Sequence, residues 1–287
     1  MKSFAVIIPT YNGGDNFQTL MQQINEQSLH PEEVIVIDSS SSDSTRAYAQ
    51  EAGATVITIQ KQDFNHGKTR YEALQYILDS TCYVIYLTQD VLLANVNSFK
   101  AIITMLEEND NVAVAYGRQL PHKNATLDAR LQREFNYPAM SQIKTMADKH
   151  RLGIKTTFVS NSFAAYKIDL LKQVGGFPSH IPVCEDMYVG AKFLQAGYAI
   201  GYCAEAQVLH SHNYSIKEDW NRYFLTGQFQ KQESWIIDKF GKSEAEGKKL
   251  VIYQLKQIYK EEGLFACTNY INRLAIRYIA FWWGKHN

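Results

Sequence analysis

The chain has few cysteines and prolines, and its charges cancel. Its 287 residues include 4 cysteines and 6 prolines, and 29 basic side chains balance 29 acidic ones. The cysteines form no Cys-x-x-Cys pair, and Cys82 and Cys203 lie in apolar runs, so we expect reduced core thiols and no disulfide framework. Because no basic excess is present, we expect no nucleic-acid partner.

Long apolar runs and glycine-rich nucleotide motifs are also missing. The N-terminal run ends at Pro9, too early for a signal peptide, and no later run reaches the roughly 18 apolar residues of a membrane span. We therefore expect a cytoplasmic protein. The P-loop pattern and the G-x-G-x-x-G fingerprint are absent, which argues against a P-loop hydrolase or an NAD enzyme.

Short apolar runs alternate with helical periodicity through the first half. This alternation predicts a mostly parallel sheet covered by helices on both faces, with ligands bound beyond the carboxyl ends of its strands. The predicted strands are Phe4–Pro9, Val34–Asp38, Thr55–Ile59, Cys82–Thr88 and Val112–Tyr116. Further on, the pattern predicts strands at Thr157–Ser160, Ile200–Cys203 and Gln207–His210, a helix at Glu185–Ala196, and helices from Ile216 to the end.

Two aspartates follow predicted strands. Asp38 precedes four serines and a helix start, where it either accepts hydrogen bonds from a ligand or caps the helix. Asp90 closes the fourth strand with an oxygen ligand of the kind that Mg²⁺ and Mn²⁺ prefer. His210 and His212 share a face if their segment is extended, so either could complete the coordination of a cation held by Asp90.

Two further segments carry charged side chains. Glu185 and Asp186 open a helix, where acidic residues either favour the helix dipole or supply a general base. His66, Gly67, Lys68 and Arg70 lie between the third strand and the next helix, where close backbone approach and positive charge would suit a phosphate.

Taken in order, these segments resemble the family 2 glycosyltransferases of the GT-A fold, and most closely bacterial rhamnosyltransferases of surface polysaccharide synthesis. The resemblance begins with Ile7–Asn12 and Asp38 and covers roughly residues 4–230. The narrower match consists of the segments Phe64–Arg70, Thr88–Asp90, Tyr116–Pro121, Phe135–Pro138, Ser160–Ser162, Gly175–Phe177, Glu185–Met187 and His210–Tyr214.

The resemblance implies a role for each matching residue. Asp186 would be the catalytic base of an inverting transfer. Asp90, with His210 or His212, would bind Mg²⁺ or Mn²⁺. The donor nucleotide would contact Pro9, Thr10, Tyr11, Asp38, His66, Gly67, Lys68, Arg70, Gln89 and Asp90. The acceptor would lie near Arg118, Asn161, Glu185 and Arg222. Two departures stand out: Thr88 and Gln89 occupy positions where many relatives carry carboxylates, and Lys68 replaces an expected glycine.

The implied protein has a GT-A catalytic domain at 1–215, divided into a nucleotide half (1–117) and an acceptor half (118–215), and a helical region at 216–287. The expected donor is dTDP-L-rhamnose and the acceptor a glycan or lipid-linked glycan. Two alternatives stay open: a UDP-hexose or UDP-N-acetylhexosamine transferase of the same fold, and a non-catalytic glycan-binding protein.

The C-terminal tail is basic and aromatic. Residues 248–287 hold seven Lys or Arg against two Glu, and Ile271, Leu274, Tyr278 and Trp282 recur at helical spacing beside Arg273 and Arg277. This pattern is typical of a helix in a membrane interface, here the inner face of the cell membrane. It fits equally a helix packed on the catalytic domain or on a second subunit of a homodimer.

Overall fold

The computed structural model describes residues 2–242 and 244–287. Within these residues, nine strands form one sheet. They are β1 (Phe4–Thr10), β2 (Glu33–Asp38), β3 (Thr55–Thr58), β4 (Tyr83–Leu87), β5 (Leu92–Leu93), β6 (Val112–Leu120), β7 (Gln142–Lys144), β8 (Phe163–Lys167) and β9 (Ala199–Leu209). The spatial order is β3-β2-β1-β4-β8-β6-β9-β5, and β7 also pairs with β9.

The sheet is parallel in its first half and mixed in its second. β1 pairs in parallel with β2 and β4, and β2 with β3. β8 is antiparallel to both β4 and β6, whereas β9 runs parallel to β6 and antiparallel to β5 and β7. The predicted α/β class is confirmed, and the parallel part is confined to β1–β4 and the β6–β9 pair.

In the described part of the chain, twelve α-helices cover the sheet and extend beyond it. They are α1 (Gly14–Asn25), α2 (Thr45–Glu51), α3 (His66–Glu72), α4 (Ser98–Glu108), α5 (Leu127–Asn136), α6 (Lys149–Leu152), α7 (Ile168–Gln173), α8 (Glu185–Gln195), α9 (Ile216–Gln232), α10 (Ser234–Phe240), α11 (Glu244–Glu262) and α12 (Leu264–His286). Short 3-10 helices span Lys61–Asp63, Ala73–Tyr76, Met146–Asp148 and Gly153–Thr157.

The central strands are apolar throughout because both faces of the sheet are buried. In β1, Ile7 packs into the core on one face, and Val6 and Ile8 pack into the core on the other. Alternate residues of β2 divide in the same way between the two cores. The strand ends are therefore the first places where polar side chains reach an open surface, and the functional candidates lie there.

One strand prediction was wrong. The segment predicted as a strand at 157–160 follows a 3-10 helix, Gly153–Thr157, in which the Thr156 and Thr157 hydroxyls donate to the carbonyls of Gly153 and Ile154. Such local side-chain bonds compete with strand pairing. The strand that fills this place in the sheet is β8, and the two short strands predicted at 200–210 are one strand, β9.

As predicted, the described part of the C-terminal region consists mainly of helices, α9 to α12; Ser243 lies outside the described residues. α12 packs along α9, where a side chain larger than glycine at Gly284 would meet the Phe224 carbonyl, and one at Gly227 the Phe281 carbonyl. Arg273 and Arg277 do not form a solvent-facing basic stripe, because Arg277 is buried and both pair with Asp219. Among the described residues, none of the helices has the length and apolar character of a membrane span.

Candidate active site

A cleft of about 750 Å³ opens at the carboxyl ends of β4, β6 and β9. Its walls come from widely separated parts of the chain, including α3, α8 and the loop between β9 and α9. The cleft brings together nine residues singled out from the sequence: His66, Arg70, Asp90, Asn161, Glu185, Asp186, His210, His212 and Arg222.

Three of these residues form a group suited to a divalent cation. The Nε2 atoms of His210 and His212 each lie 3.5 Å from Oδ2 of Asp90. The three potential ligand atoms all lie within 4.8 Å of one another. Ligand atoms bonded to one ion at about 2.1 Å lie about 3 to 3.5 Å apart, so these positions suit one shared ion.

The hydrogen bonds around His210 leave its Nε2 free to face the centre. Its Nδ1 lies 2.9 Å from Oε1 of Gln119, whose Nε2 donates to Ser160 Oγ at 2.8 Å. Since the Gln119 nitrogen is turned to Ser160, its oxygen accepts the hydrogen of His210 Nδ1. This partner fixes the tautomer that ligates through Nε2, the usual arrangement behind a metal-bound imidazole.

The ionisation states also suit a cation. Burial acts to raise the pKa of Asp90, but a proton on His210 Nε2, which would bring both a hydrogen bond and a positive charge to the carboxylate, more than offsets it, so the pKa lies below its usual range. Burial and the neighbouring His210 lower the pKa of His212 to about 4. At neutral pH, Asp90 is an anion and His212 a neutral imidazole, the forms that bind metals.

Asp186 lies on another wall of the same cleft, at the start of α8. Its two carboxylate oxygens accept backbone N–H groups, Oδ1 from Met187 at 2.8 Å and Oδ2 from Asn161 at 3.1 Å. Burial, and then the adjacent charge of Glu185, raise the pKa of Asp186 to about 7, although the two N–H donors act in the opposite direction. A carboxyl group with this pKa exchanges a proton near neutral pH.

Glu185 points away from Asp186 and into a buried ion pair. Its Oε1 accepts from Arg70 Nη1 at 3.1 Å and from Asn161 Nδ2 at 3.0 Å, and both partners of the pair are almost fully buried. Tyr166 then donates to Asn161 Oδ1 at 2.7 Å. This network fixes the segment that carries Asp186. Arg70 and Glu185 thus line the cleft as an ion pair, in which each charge is neutralised by the other.

The loops after β1, β2 and β4 are tied together beside the cleft. Gln89 accepts from the backbone N–H of Tyr11 at 2.7 Å and donates to its carbonyl at 3.0 Å. Asp38 is fully buried and accepts from the Thr10 hydroxyl at 3.2 Å and from the Ser41 N–H at 2.9 Å. Tyr11 is exposed on this platform, which follows directly from Pro9 in β1.

Other predicted residues lie off the cleft wall. Lys68 borders a separate, smaller cavity of about 410 Å³ and its Nζ lies 3.9 Å from Glu72. Gly67 packs against the Pro178 backbone, which explains its lack of a side chain. Arg118 donates through Nε to the Tyr137 carbonyl at 3.1 Å. The structure gives these three residues structural contacts in place of cleft-facing ones.

Sequence reasoning missed several residues of the wall. Gln119 supports His210 from β6, and Arg133 on α5 donates through Nε to the His210 carbonyl at 2.7 Å. The Tyr214 ring packs 5.0 Å from that of His212. These contacts join residues up to 91 positions apart in the sequence, which local patterns do not reveal. Only the position of Gln119 near a strand end hinted at its role.

Comparison with known proteins shows the family. A model of the family described as Glycosyl transferase family 2 matches residues 5–175. The chain belongs to glycosyl transferase family 2. It is 40% identical over 282 residues to the O-antigen chain rhamnosyltransferase RfbN of Salmonella typhimurium, covering 98% of this chain and 89% of that protein. It is also 40% identical over 287 residues to the O-antigen chain rhamnosyltransferase WbaN of Salmonella anatum, covering 100% of this chain and 90% of that one.

Solved structures of glycosyltransferases share the fold of this family 2 member. A mannosyltransferase from Pyrobaculum calidifontis, in complex with GDP-Man and Mn²⁺, superposes with a TM-score of 0.60 at 16% identity, covering 99% of this chain and 84% of that one. S. aureus TarS, in complex with UDP-GlcNAc, superposes with a TM-score of 0.57 at 16% identity, covering 97% of this chain and 81% of that one. The expected GT-A fold is thereby confirmed.

Proposed function

We propose that this glycosyltransferase moves L-rhamnose from dTDP-L-rhamnose onto a glycan, in the lipid-linked form used to assemble surface polysaccharide. The choice of sugar is supported by two rhamnosyltransferases that match almost the whole chain at 40% identity. The observation that carries the chemistry is that Asp186 lines the same cleft as Asp90, His210 and His212. A base and a cation-binding group are thus available to one bound donor and acceptor.

The proposed reaction is a single inverting displacement. The acceptor hydroxyl oxygen attacks the anomeric carbon while the bond from that carbon to the diphosphate oxygen breaks. Asp186 takes the hydroxyl proton, and dTDP leaves with the bonding electrons. Met187 and Asn161 hold both oxygens of Asp186 through backbone N–H groups, so the base has one orientation throughout the reaction. No covalent intermediate with the protein is needed.

Asp90, His210 and His212 would hold the divalent cation. Two imidazoles with one carboxylate favour Mn²⁺ over Mg²⁺, which prefers oxygen ligands and keeps its water. When bound, such an ion neutralises charge that develops on the departing diphosphate. The free Nε2 of His210 facing the Asp90 carboxylate supports this assignment, because two lone pairs at 3.5 Å repel unless a cation or proton lies between them.

We assign the donor nucleotide to the platform at the ends of β1 and β2, within the predicted nucleotide half at 1–117. There Tyr11 is exposed, and Lys61 Nζ lies 4.1 Å from the centre of its ring. The acceptor belongs to the half at 118–215, with Arg222 of the helical region at 216–287 also on the wall. The Arg222 guanidinium lies 5.2 Å from the Tyr214 ring centre, and such cation–aromatic surfaces suit a sugar face.

The exposed face of α12 is the proposed contact with the membrane that carries a lipid-linked acceptor. Ile271, Tyr278, Trp282 and Trp283 are each half or more exposed on this helix, and aromatic side chains favour the boundary between lipid headgroups and acyl chains. Full-length protein should co-sediment with anionic vesicles more than a variant carrying Trp282→Ser and Trp283→Ser. Equal sedimentation, with concentration-dependent dimers of the unsubstituted protein alone, would assign the face to a homodimer.

The donor is tested by a thermal-shift panel of nucleotide sugars with Mn²⁺. Because a ligand that binds the folded state raises the melting temperature by mass action, dTDP-L-rhamnose should give the largest rise. A larger rise with UDP-glucose or UDP-GlcNAc would replace the rhamnosyl assignment by a UDP-sugar transferase. Mn²⁺-dependent release of dTDP would separate an enzyme from a non-catalytic glycan-binding protein, which would release none.

A further inference from the structure

We propose that Arg273, on the C-terminal helix α12, is a positioning residue for the cation-binding loop between β9 and α9. Arg273 donates through Nη2 to the backbone carbonyl of Tyr214 and through Nε to Asp219. Tyr214 lies two residues beyond His212, and its ring packs against that imidazole. This inference rests on the proposed cation site, to which it adds a residue 61 positions further along the chain.

The loop from His210 to Ser215 is held at five of its six residues, on both sides of His212. Arg133 binds the His210 carbonyl, the His122 N–H donates to Ser211 Oγ at 3.0 Å, and Ser215 caps α9. On the intervening residues, the Asn213 side chain accepts from the Thr126 N–H at 2.7 Å and donates to the Asn124 carbonyl at 2.9 Å.

Among these contacts with the loop, that of Arg273 is the one that comes from α12. The other partners lie on or just before α5, or are local to the loop itself. The supports for this short segment therefore come from two distant parts of the chain, residues 122–133 and α12. Arg273 holds Tyr214, the residue whose ring packs against the His212 imidazole. The His212 side chain is a third exposed and makes its own polar contact with Asp90. Loss of Arg273 should therefore affect His212 more than His210, which Gln119 and Arg133 hold independently.

The buried charges around Arg273 are balanced, which makes its removal tolerable for folding. Arg277 binds Asp219 through Nε at 3.0 Å and Asp128 through Nη2 at 2.5 Å. The pair Asp128 and Asp219 thus faces the pair Arg273 and Arg277. Without Arg273, Asp219 keeps the Arg277 partner, so no carboxylate is left buried and unpaired. Arg273 itself is partly exposed, and glutamine can fill its place.

The matched control is Arg130 on α5. Like Arg273, it is partly exposed and joins the C-terminal helices to the catalytic domain, through an ion pair with Glu261 on α11 at 2.5 Å. Unlike Arg273, its guanidinium donates to Glu134 and Glu261 and not to the loop. Arg130→Gln therefore reproduces the loss of an interdomain ion pair without loosening the cation-binding loop.

The test measures Mn²⁺ binding to full-length protein by electron paramagnetic resonance, alone and with saturating dTDP. Outer partners of metal ligands typically contribute about 10- to 100-fold in affinity, so Arg273→Gln should weaken Mn²⁺ binding about tenfold or more. Arg130→Gln should change it less than about twofold. Arg273→Lys should fall between them, since one ammonium cannot reproduce the forked contact with Asp219 and Tyr214. Spin-echo modulation from ¹⁴N should report two imidazoles in the unsubstituted protein and a weakened second coupling in Arg273→Gln.

The outcomes separate this inference from the proposed function. Unsubstituted protein that fails to bind Mn²⁺ with dTDP overturns the cation site, and the inference with it. Unsubstituted protein that binds Mn²⁺ through two nitrogens, with Arg273→Gln indistinguishable from it, overturns the inference alone. Equal weakening by Arg273→Gln and Arg130→Gln also overturns it, because docking of the C-terminal helices would then account for the effect.

Discussion

Replacing Asp186 by asparagine tests the base directly, because the change keeps the shape of the side chain and removes its basicity. Both carboxylate oxygens accept backbone N–H groups, from Met187 and Asn161. The amide of asparagine keeps one acceptor and turns an NH₂ toward the other donor. We expect this to cost about 1 kcal/mol or somewhat more of folding free energy, because one buried N–H loses its acceptor, so the variant should fold.

The expected loss in turnover is much larger than the loss in stability. A positioned general base contributes about 10²- to 10⁴-fold, which corresponds to about 3 to 5 kcal/mol in the barrier. The assay follows transfer of radiolabelled rhamnose from dTDP-L-rhamnose to membrane glycolipids, with calorimetry of dTDP and Mn²⁺ binding in parallel. Turnover should fall by at least about a hundredfold while dTDP binds within about twofold of normal. Near-normal turnover would remove Asp186 from the mechanism.

The pH dependence of kcat/KM is a second test of Asp186 as the base. A base acts only when deprotonated, so kcat/KM should decline as pH falls through the pKa of Asp186, raised to about 7 by burial and by Glu185. An unperturbed aspartate would give this decline near pH 4. A profile that is flat between pH 8 and pH 5 would contradict the assignment.

Three further substitutions probe the supports of the site. Glu185→Gln removes the negative charge beside Asp186 and leaves Arg70 unpaired, and both changes lower the pKa of Asp186. The decline of kcat/KM on the acid side should therefore move to lower pH. An unchanged or higher midpoint would count against the coupling between Glu185 and Asp186. Gln119→Leu removes the hydrogen-bond partner of His210 Nδ1 and should weaken Mn²⁺ binding about 10- to 100-fold, measured by electron paramagnetic resonance titration. Unaltered Mn²⁺ affinity would show that Gln119 does not orient His210. Gln89→Ala removes both bonds to the Tyr11 backbone and should raise the KM for donor with little change in kcat; a fall in kcat alone would argue that Gln89 acts on the chemistry.

The first half of the fold was predictable because periodicity is strongest where both faces of a strand are buried. β1, β2 and β4 were predicted to within one residue at each end. β8 was missed because the threonines before it suggested a strand that the 3-10 helix replaces. The antiparallel insertion of β8 between β4 and β6 depends on pairings 76 to 84 residues apart with β4 and 48 to 52 residues apart with β6, which local patterns do not encode.

The chemistry of the site was easier to predict than its supports. Asp90, His210, His212 and Asp186 stood in recognisable motifs at the ends of strands or at the start of a helix. The pairing of Arg70 with Glu185 was not predicted, because each residue read as free to bind ligand until folding brought them to 3.1 Å across 115 residues. Arg273 and Arg277 similarly read as a basic surface stripe, and their burial depends on Asp128 and Asp219 in other helices.

The central claim is that one cleft holds a divalent cation between Asp90, His210 and His212 beside the base Asp186. The most direct measurement is an anomalous difference map from crystals grown with Mn²⁺ and dTDP. The account predicts one manganese peak bonded to Asp90, His210 and His212, with the dTDP phosphates on its open side. A manganese peak elsewhere, or dTDP phosphates bound away from these three residues, would contradict it.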